Sequence, residues 1–277
     1  MDGDMKPKAL IITAAGINCD AELMHAFSVA GAEPESVLLN TLRRNPSQVD
    51  HFDLIGLPGG FSYGDDIAAG RVMAVLMRRE IYPALAHAVE RGVPIICPCN
   101  GFQIAVQAGL LPGPVAQQWP ECAAQPTIAL CQNQSARFCD VWTPVTIPTN
   151  TRCVWTRDLQ LQPGVDLLPN AHGEGRFVTD DATLNHLQSN GQIAVRYDRD
   201  QNFNGSMDSV AGICDASGLV LGLMPHPERF TRWTQHPWWT RLGSGERSVE
   251  PLGLRMFRAA VAWATRVPGQ RAVTGAA

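Results

Sequence analysis

Apolar runs alternate with amphipathic stretches through the N-terminal part of the chain. Ala9-Leu10-Ile11-Ile12-Thr13, Pro34 to Leu39 and Leu54-Ile55-Gly56-Leu57 read as strands. Asp20 is placed to cap a helix from Ala21 to Ala30, whose Leu23, Ala26, Phe27 and Ala30 share one face, and Gly31 ends it. Ser47 to Phe52 predicts a short helix, and Ile67 to Leu76 and Ile81 to Arg91 predict longer ones, interrupted near Pro83. Gly92 stops the last of these before the strand Val93-Pro94-Ile95-Ile96-Cys97, and a new helical pattern begins at Phe102. Strand–helix units with apolar strands predict a parallel sheet covered on both faces. Functional groups in such sheets gather at the carboxyl ends of the strands.

After Leu111-Pro112-Gly113 the period changes. From about Pro114 to Ala211 short strand candidates prevail, including Phe138 to Ile147 and Gln192 to Tyr197. Asn190-Gly191 and Asn204-Gly205 predict antiparallel hairpins. The earlier pattern then resumes with a strand at Leu219 to Met224 and an amphipathic helix over 251–266. The expected class is α/β: a flavodoxin-like, open, mostly parallel sheet flanked by helices, with an antiparallel extension. Residues 8–266 read as a single domain, with 1–7 and 268–277 as flexible tails.

Composition narrows the function classes. With 45% hydrophobic content in 277 residues, the chain carries enough apolar material for a full core. Its net charge of −4 and lack of a basic run argue against a nucleic-acid partner. No stretch is long and apolar enough to span a bilayer, and no secretory signal is legible, so no membrane role and a cytoplasmic location are expected. The eight cysteines are scattered and form no Cys-x-x-Cys pair, so they read as free thiols and no metal site is expected.

Chemistry concentrates at three predicted strand ends. Cys99 stands at a sharp strand-to-helix turn, the geometry of a nucleophile elbow, where the first helical amides favour a thiolate. Gly101 leaves room for the reversal. Pro58-Gly59-Gly60-Phe61 follows the third strand, and its glycines let backbone amides approach a substrate oxyanion. Pro225-His226-Pro227-Glu228 follows the Leu219–Met224 strand. Its His226 and Glu228, two apart in extended chain, fall on one side, so the carboxylate can orient the imidazole. A thiol, an imidazole, a carboxylate and backbone donors are what a cysteine hydrolase requires. His25, His51, His87, His186 and His236 lack such company and read as surface or packing residues.

Cys99-Asn100-Gly101-Phe102-Gln103 together with Pro225-His226-Pro227-Glu228 resembles the class I (triad) glutamine amidotransferases. More narrowly, the chain resembles the glutaminase subunits of phosphoribosylformylglycinamidine synthase, which serve purine biosynthesis. The narrower resemblance rests on Asn18-Cys19-Asp20, Pro58-Gly59-Gly60-Phe61-Ser62-Tyr63-Gly64-Asp65 and Asn133 to Phe138. Ala171-His172-Gly173-Glu174-Gly175-Arg176-Phe177, Asn204-Gly205-Ser206 and Ala211-Gly212-Ile213-Cys214 extend it. Cys97 departs from the pattern, which has glycine two residues before the nucleophile.

The resemblance implies hydrolysis of L-glutamine through a γ-glutamyl thioester on Cys99, with His226 and Glu228 completing the triad. Gly59, Gly60, Phe61 and Asn100 would supply the oxyanion donors, and Gln103 would help position glutamine. Ammonia would pass to a large synthetase subunit, with a small accessory subunit alongside. ATP and magnesium are expected in that partner, and this chain needs no cofactor. His172, Glu174 and Arg176, in a segment too polar for the core, are expected to touch the partner and couple the two sites. Two other readings stand beside this one: a stand-alone cysteine hydrolase of the same fold, and a non-catalytic regulatory homologue.

Overall fold

The computed structural model describes residues 6–115 and 118–266. Its first part runs β1 (Lys8–Thr13), α1 (Asp20–Ala30), β2 (Glu33–Leu38), α2 (Leu39–Arg44), β3 (Leu54–Gly56), α3 (Arg71–Glu80), α4 (Tyr82–Glu90), β4 (Ile95–Pro98) and α5 (Asn100–Ala108). There follow β5 (Ile128–Gln132), β6 (Cys139–Thr146), β7 (Leu167–His172), β8 (Glu174–Thr179), α6 (Asp181–Ser189), β9 (Ile193–Tyr197), β10 (Val210–Cys214), β11 (Val220–Leu223) and α7 (Leu252–Arg266).

Nine strands make one sheet in the order β2-β1-β3-β4-β11-β10-β9-β6-β7. The five strands from β2 to β11 are parallel, in the 2-1-3-4-5 order of flavodoxin-like sheets. The remaining four continue the sheet antiparallel. This is the expected mixed sheet, and β5 and β8 form a separate antiparallel pair. The sequence explains the layering. β3, β4 and β11 are buried along their whole length, whereas β2, with Glu33, Glu35 and Ser36, forms an exposed edge. α1 buries the predicted face, and Phe27 meets Phe257 of α7 edge-on at 5.0 Å.

Strand order reverses between β1 and β3, so the loops leaving their carboxyl ends part and open a crevice. The β4 and β11 ends adjoin it. Chain direction alone therefore brings the Asn18-Cys19, Gly59-Gly60, Cys99 and His226 segments to one sheet edge.

Several local expectations shift. Cys19, not Asp20, is the N-cap of α1, because the amides of Asn18 and Cys19 are held by the Gly59 carbonyl, and Asp20 instead lies in the first turn. α2 follows β2 with no turn signal between them, and its Leu39 and Leu42 are too few to show a helical period. α3 begins at Arg71 rather than Ile67, since Gly70 at φ +73° interrupts the chain where a Cβ would stand 2.8 Å from the Ile104 side chain. Pro83 opens α4 rather than breaking a helix. Asn190-Gly191 closes α6 rather than a hairpin, a turn chemistry that both structures share. Asn204-Gly205 lies in the long connection between antiparallel β9 and β10. The predicted tails at 1–5 and 268–277 lie outside the described residues. Pro7, assigned to the first tail, is buried and its carbonyl accepts from Glu33 N at 2.8 Å.

Candidate active site

Cys99 ends β4 and caps α5 at φ 51°, ψ −111°, a region that non-glycine residues seldom occupy. The surroundings hold it there. Its amide donates to Leu223 O at 2.8 Å, and its carbonyl accepts from Phe102 N at 2.9 Å. A Cβ on Gly101 would lie 2.0 Å from Leu57 O, so only glycine lets α5 sit down on the end of β3. Cys97 is wholly enclosed in β4, and burial raises its thiol well above the ordinary cysteine range. Cys99 retains 7% exposure and opens onto a cavity, which separates the two cysteines chemically.

His226 follows β11, and its Nδ1 meets Glu228 Oε1 at 2.6 Å. The pair does not arise from extended chain as expected: Pro227–Arg229 is a 3-10 turn with His226 as its cap. Phe230, directly after it, is buried against Trp142 (5.3 Å), Trp233 (5.6 Å) and His236 (5.6 Å), which pins the turn. Trp233 thus serves the site as packing, while Trp238 and Trp239 stay exposed. Burial disfavours the His226 imidazolium, but the charges of Glu228 and Cys99 outweigh it and hold the pKa well above the usual histidine value.

The strand ends converge over Gly59. A methyl group there would stand 2.8 Å from His226 Cε1, 3.2 Å from Cys19 Sγ and 3.4 Å from Cys99 Cβ. Cys19 is the residue that sequence reasoning left unassigned. Arg229 Nη2 donates to its sulfur at 3.1 Å, so Cys19 and Arg229 border the pair. The signal was present, since Asn18-Cys19-Asp20 follows a strand end just as Cys99 does. Of the expected oxyanion donors, Phe61 N is committed to Gly16 O at 2.9 Å. Beside it, Ser62 N donates to Asn100 Oδ1 at 3.1 Å. The amides of Gly59, of Gly60 at φ +144°, and of Asn100 are the remaining candidates.

The β7–β8 turn closes the other side. Ala171 O lies 3.8 Å from Cys99 Sγ, and Glu174 O accepts from Gln103 Nε2 at 2.6 Å. The Gln103 Oε1 accepts from Asn100 Nδ2 at 2.9 Å. Glu174 is exposed, and half-buried Arg176 donates from Nε to Gln132 O at 3.0 Å. His172 departs from its expected place on a polar surface. It is buried, its ring lies against Phe203 at 5.5 Å and over Gly175, and it lines the pocket with Cys99 and His226. A single imidazole among glycines reads as surface in sequence, yet Gly175 is what lets the backbone close against it.

These residues enclose a cavity of about 360 Å³ whose walls include Gly60, Phe61, Cys99, Gln103, His172 and His226. Cys19, His226 and Glu228 have ligand atoms within 4.8 Å of one another. Arg229 engages the Cys19 sulfur, and His226 Nδ1 and Glu228 Oε1 engage each other, which leaves His226 Nε2 available for proton transfer.

Residues 6–264 match the model of the CobB/CobQ-like glutamine amidotransferase domain. The chain is 39% identical over 272 residues to phosphoribosylformylglycinamidine synthase subunit PurQ of Dehalococcoides mccartyi, covering 95% of this chain and 99% of that one. It is also 39% identical over 244 residues to the PurQ of Treponema denticola, covering 81% and 88%. Among solved structures, a chain of PurLQS from Thermotoga maritima superposes with a TM-score of 0.70 at 33% identity, covering 94% of this chain and 99% of that one.

Proposed function

The chain belongs to the CobB/CobQ-like glutamine amidotransferases, and on that premise we propose that it is the glutamine-hydrolysing subunit of a phosphoribosylformylglycinamidine synthase. The convergence of Cys99 and His226 over Gly59, with Glu228 bonded to the far side of the ring, is the observation that carries this reading. Cys99 Sγ attacks the carboxamide carbon of L-glutamine, and the oxyanion is met by the Gly60 and Asn100 amides. His226 takes the thiol proton and returns it to the departing ammonia, leaving a γ-glutamyl thioester. It then removes a proton from water, which attacks the thioester and frees glutamate. Glu228 fixes the ring tautomer throughout. Gln103, tied to Asn100 and Glu174, shapes the end of the pocket that receives glutamine.

The ammonia is used by the large subunit, which converts formylglycinamide ribonucleotide to its amidine with ATP and magnesium, and a small accessory subunit joins the assembly. Glu174 and Arg176 present the β7–β8 turn to that partner, and the Gln103–Glu174 bond links the contact to the pocket. Among the described residues no helix is long and apolar enough to cross a membrane.

Glutamate release, measured with and without the large subunit, tests the reading. Slow hydrolysis alone, rising when the partner binds nucleotide and substrate, is expected. No hydrolysis in either state would favour a non-catalytic homologue. Fast, unstimulated hydrolysis of varied amides would favour a stand-alone hydrolase.

A further inference from the structure

Three histidines are almost wholly buried, and two of them have a partner on the ring. His226 holds Glu228 through Nδ1, and its Nε2, unpartnered among the described residues, is the atom left for proton transfer with the Cys99 thiol. His236 bonds on both sides, with Nε2 at 3.0 Å from Val165 O and Nδ1 accepting from Trp238 N at 3.1 Å. His172, 3% exposed, is different: neither ring nitrogen has a hydrogen-bond partner among the described residues. Leaving a buried polar atom unpaired is destabilising, so an imidazole kept that way calls for an explanation. Packing does not supply one. Phe203 covers one face of the ring and Gly175 runs beside Nδ1, contacts that phenylalanine or leucine would serve as well. The residue lines the cavity that also holds Cys99, Gln103 and His226.

We infer that His172 is a substrate-positioning residue, whose imidazole hydrogen-bonds the glutamine held in the Cys99 pocket. The inference rests on the glutaminase reading above. Burial, and then the nearby positive charge of His226, lower the pKa of His172 to about 4. At neutral pH the ring therefore offers one donor and one acceptor without a charge. An uncharged ring suits a site in which His226 alone must cycle its proton, since a second imidazolium would oppose the first. It also suits a substrate whose carboxamide needs both kinds of partner. Gly175 belongs to the same device, because a Cβ there would stand 2.4 Å from the ring.

The test uses the chain in its synthetase complex. His172→Phe keeps the ring packed on Phe203 and should raise the glutamine KM about tenfold, the effect of losing one buried hydrogen bond, with kcat within about threefold. His172→Gln should recover part of that loss. Alkylation of Cys99 by iodoacetamide, which has no amino-acid end, should proceed at the wild-type rate in both variants. Independently of any His172 variant, nitrogen-15 histidine signals of the Cys99→Ser protein should show His172 shifting when L-glutamine is added. A wild-type KM in His172→Phe, or an unmoved His172 signal while other pocket residues respond, would overturn the inference. If no pocket residue responds to glutamine at all, the glutaminase reading itself fails.

Discussion

Gln103 donates its side-chain amide to the Glu174 carbonyl at 2.6 Å, tying the helix behind the nucleophile to the turn between β7 and β8. The two residues come from distant parts of the chain, and the bond fixes one wall of the pocket by backbone rather than by charge. Gln103→Leu fills the same volume but leaves that carbonyl unpaired. The expected result is a glutamine KM raised about tenfold, with Cys99 alkylation by iodoacetamide unchanged. A variant with wild-type KM would show that the wall holds without the bond.

The elbow is guarded by Gly101, not by the position of Cys97. Gly101→Ala forces a methyl group to 2.0 Å from Leu57 O, a backbone atom that has nowhere to go. It should lower the thermal midpoint sharply, by several degrees or more, as overpacking of about 1–3 kcal/mol does. Cys97→Gly removes a thiol that burial keeps protonated, and it should retain most of the glutaminase activity. Activity lost in Cys97→Gly with the fold intact would contradict the assignment of the nucleophile.

Within the triad, His226 moves the proton and Glu228 orients the ring. His226→Ala should therefore reduce kcat more than Glu228→Gln does, with the latter loss roughly 10⁴-fold or less. Equal losses, measured as glutamate release, would mean that the roles are wrongly divided.

The strand ends were legible because chemistry at a parallel sheet edge follows from strand direction, and strands such as Ile95-Ile96-Cys97 announce themselves by composition. The 3-10 turn at Pro227 was not, since an extended and a turned His-Pro-Glu both bring the two side chains together. Nor was the burial of His172. It depends on Phe203, which arrives from the connection after β9, and no local pattern records such a meeting. Cys19 and Arg229 meet for the same kind of reason, from opposite ends of the chain.

Acid stability offers a separate check on His172. A histidine lowered from 6.5 to about 4 leaves the folded state binding fewer protons than the unfolded state between those values. Its contribution is thus complete above pH 6.5 and is lost as pH falls toward about 4. At about 1.4 kcal/mol per pKa unit, the loss reaches up to about 3 kcal/mol. His226, raised instead, acts in the opposite window: its contribution is lost as pH rises through its folded-state pKa. Urea unfolding across the acid range should show a shallower pH slope in His172→Asn than in wild type. Identical slopes would show that the ring is not held neutral by its surroundings.

The most direct measurement is covalent capture of the nucleophile by a glutamine-like chloroketone or diazoketone, followed by peptide mass analysis. A single adduct on Cys99, forming in step with loss of glutaminase activity and blocked by L-glutamine, is expected. The Cys99→Ser protein should take up no label and release no glutamate. An adduct on Cys97 or Cys19 with Cys99 untouched, or hydrolysis surviving in Cys99→Ser, would contradict the assignment of this site.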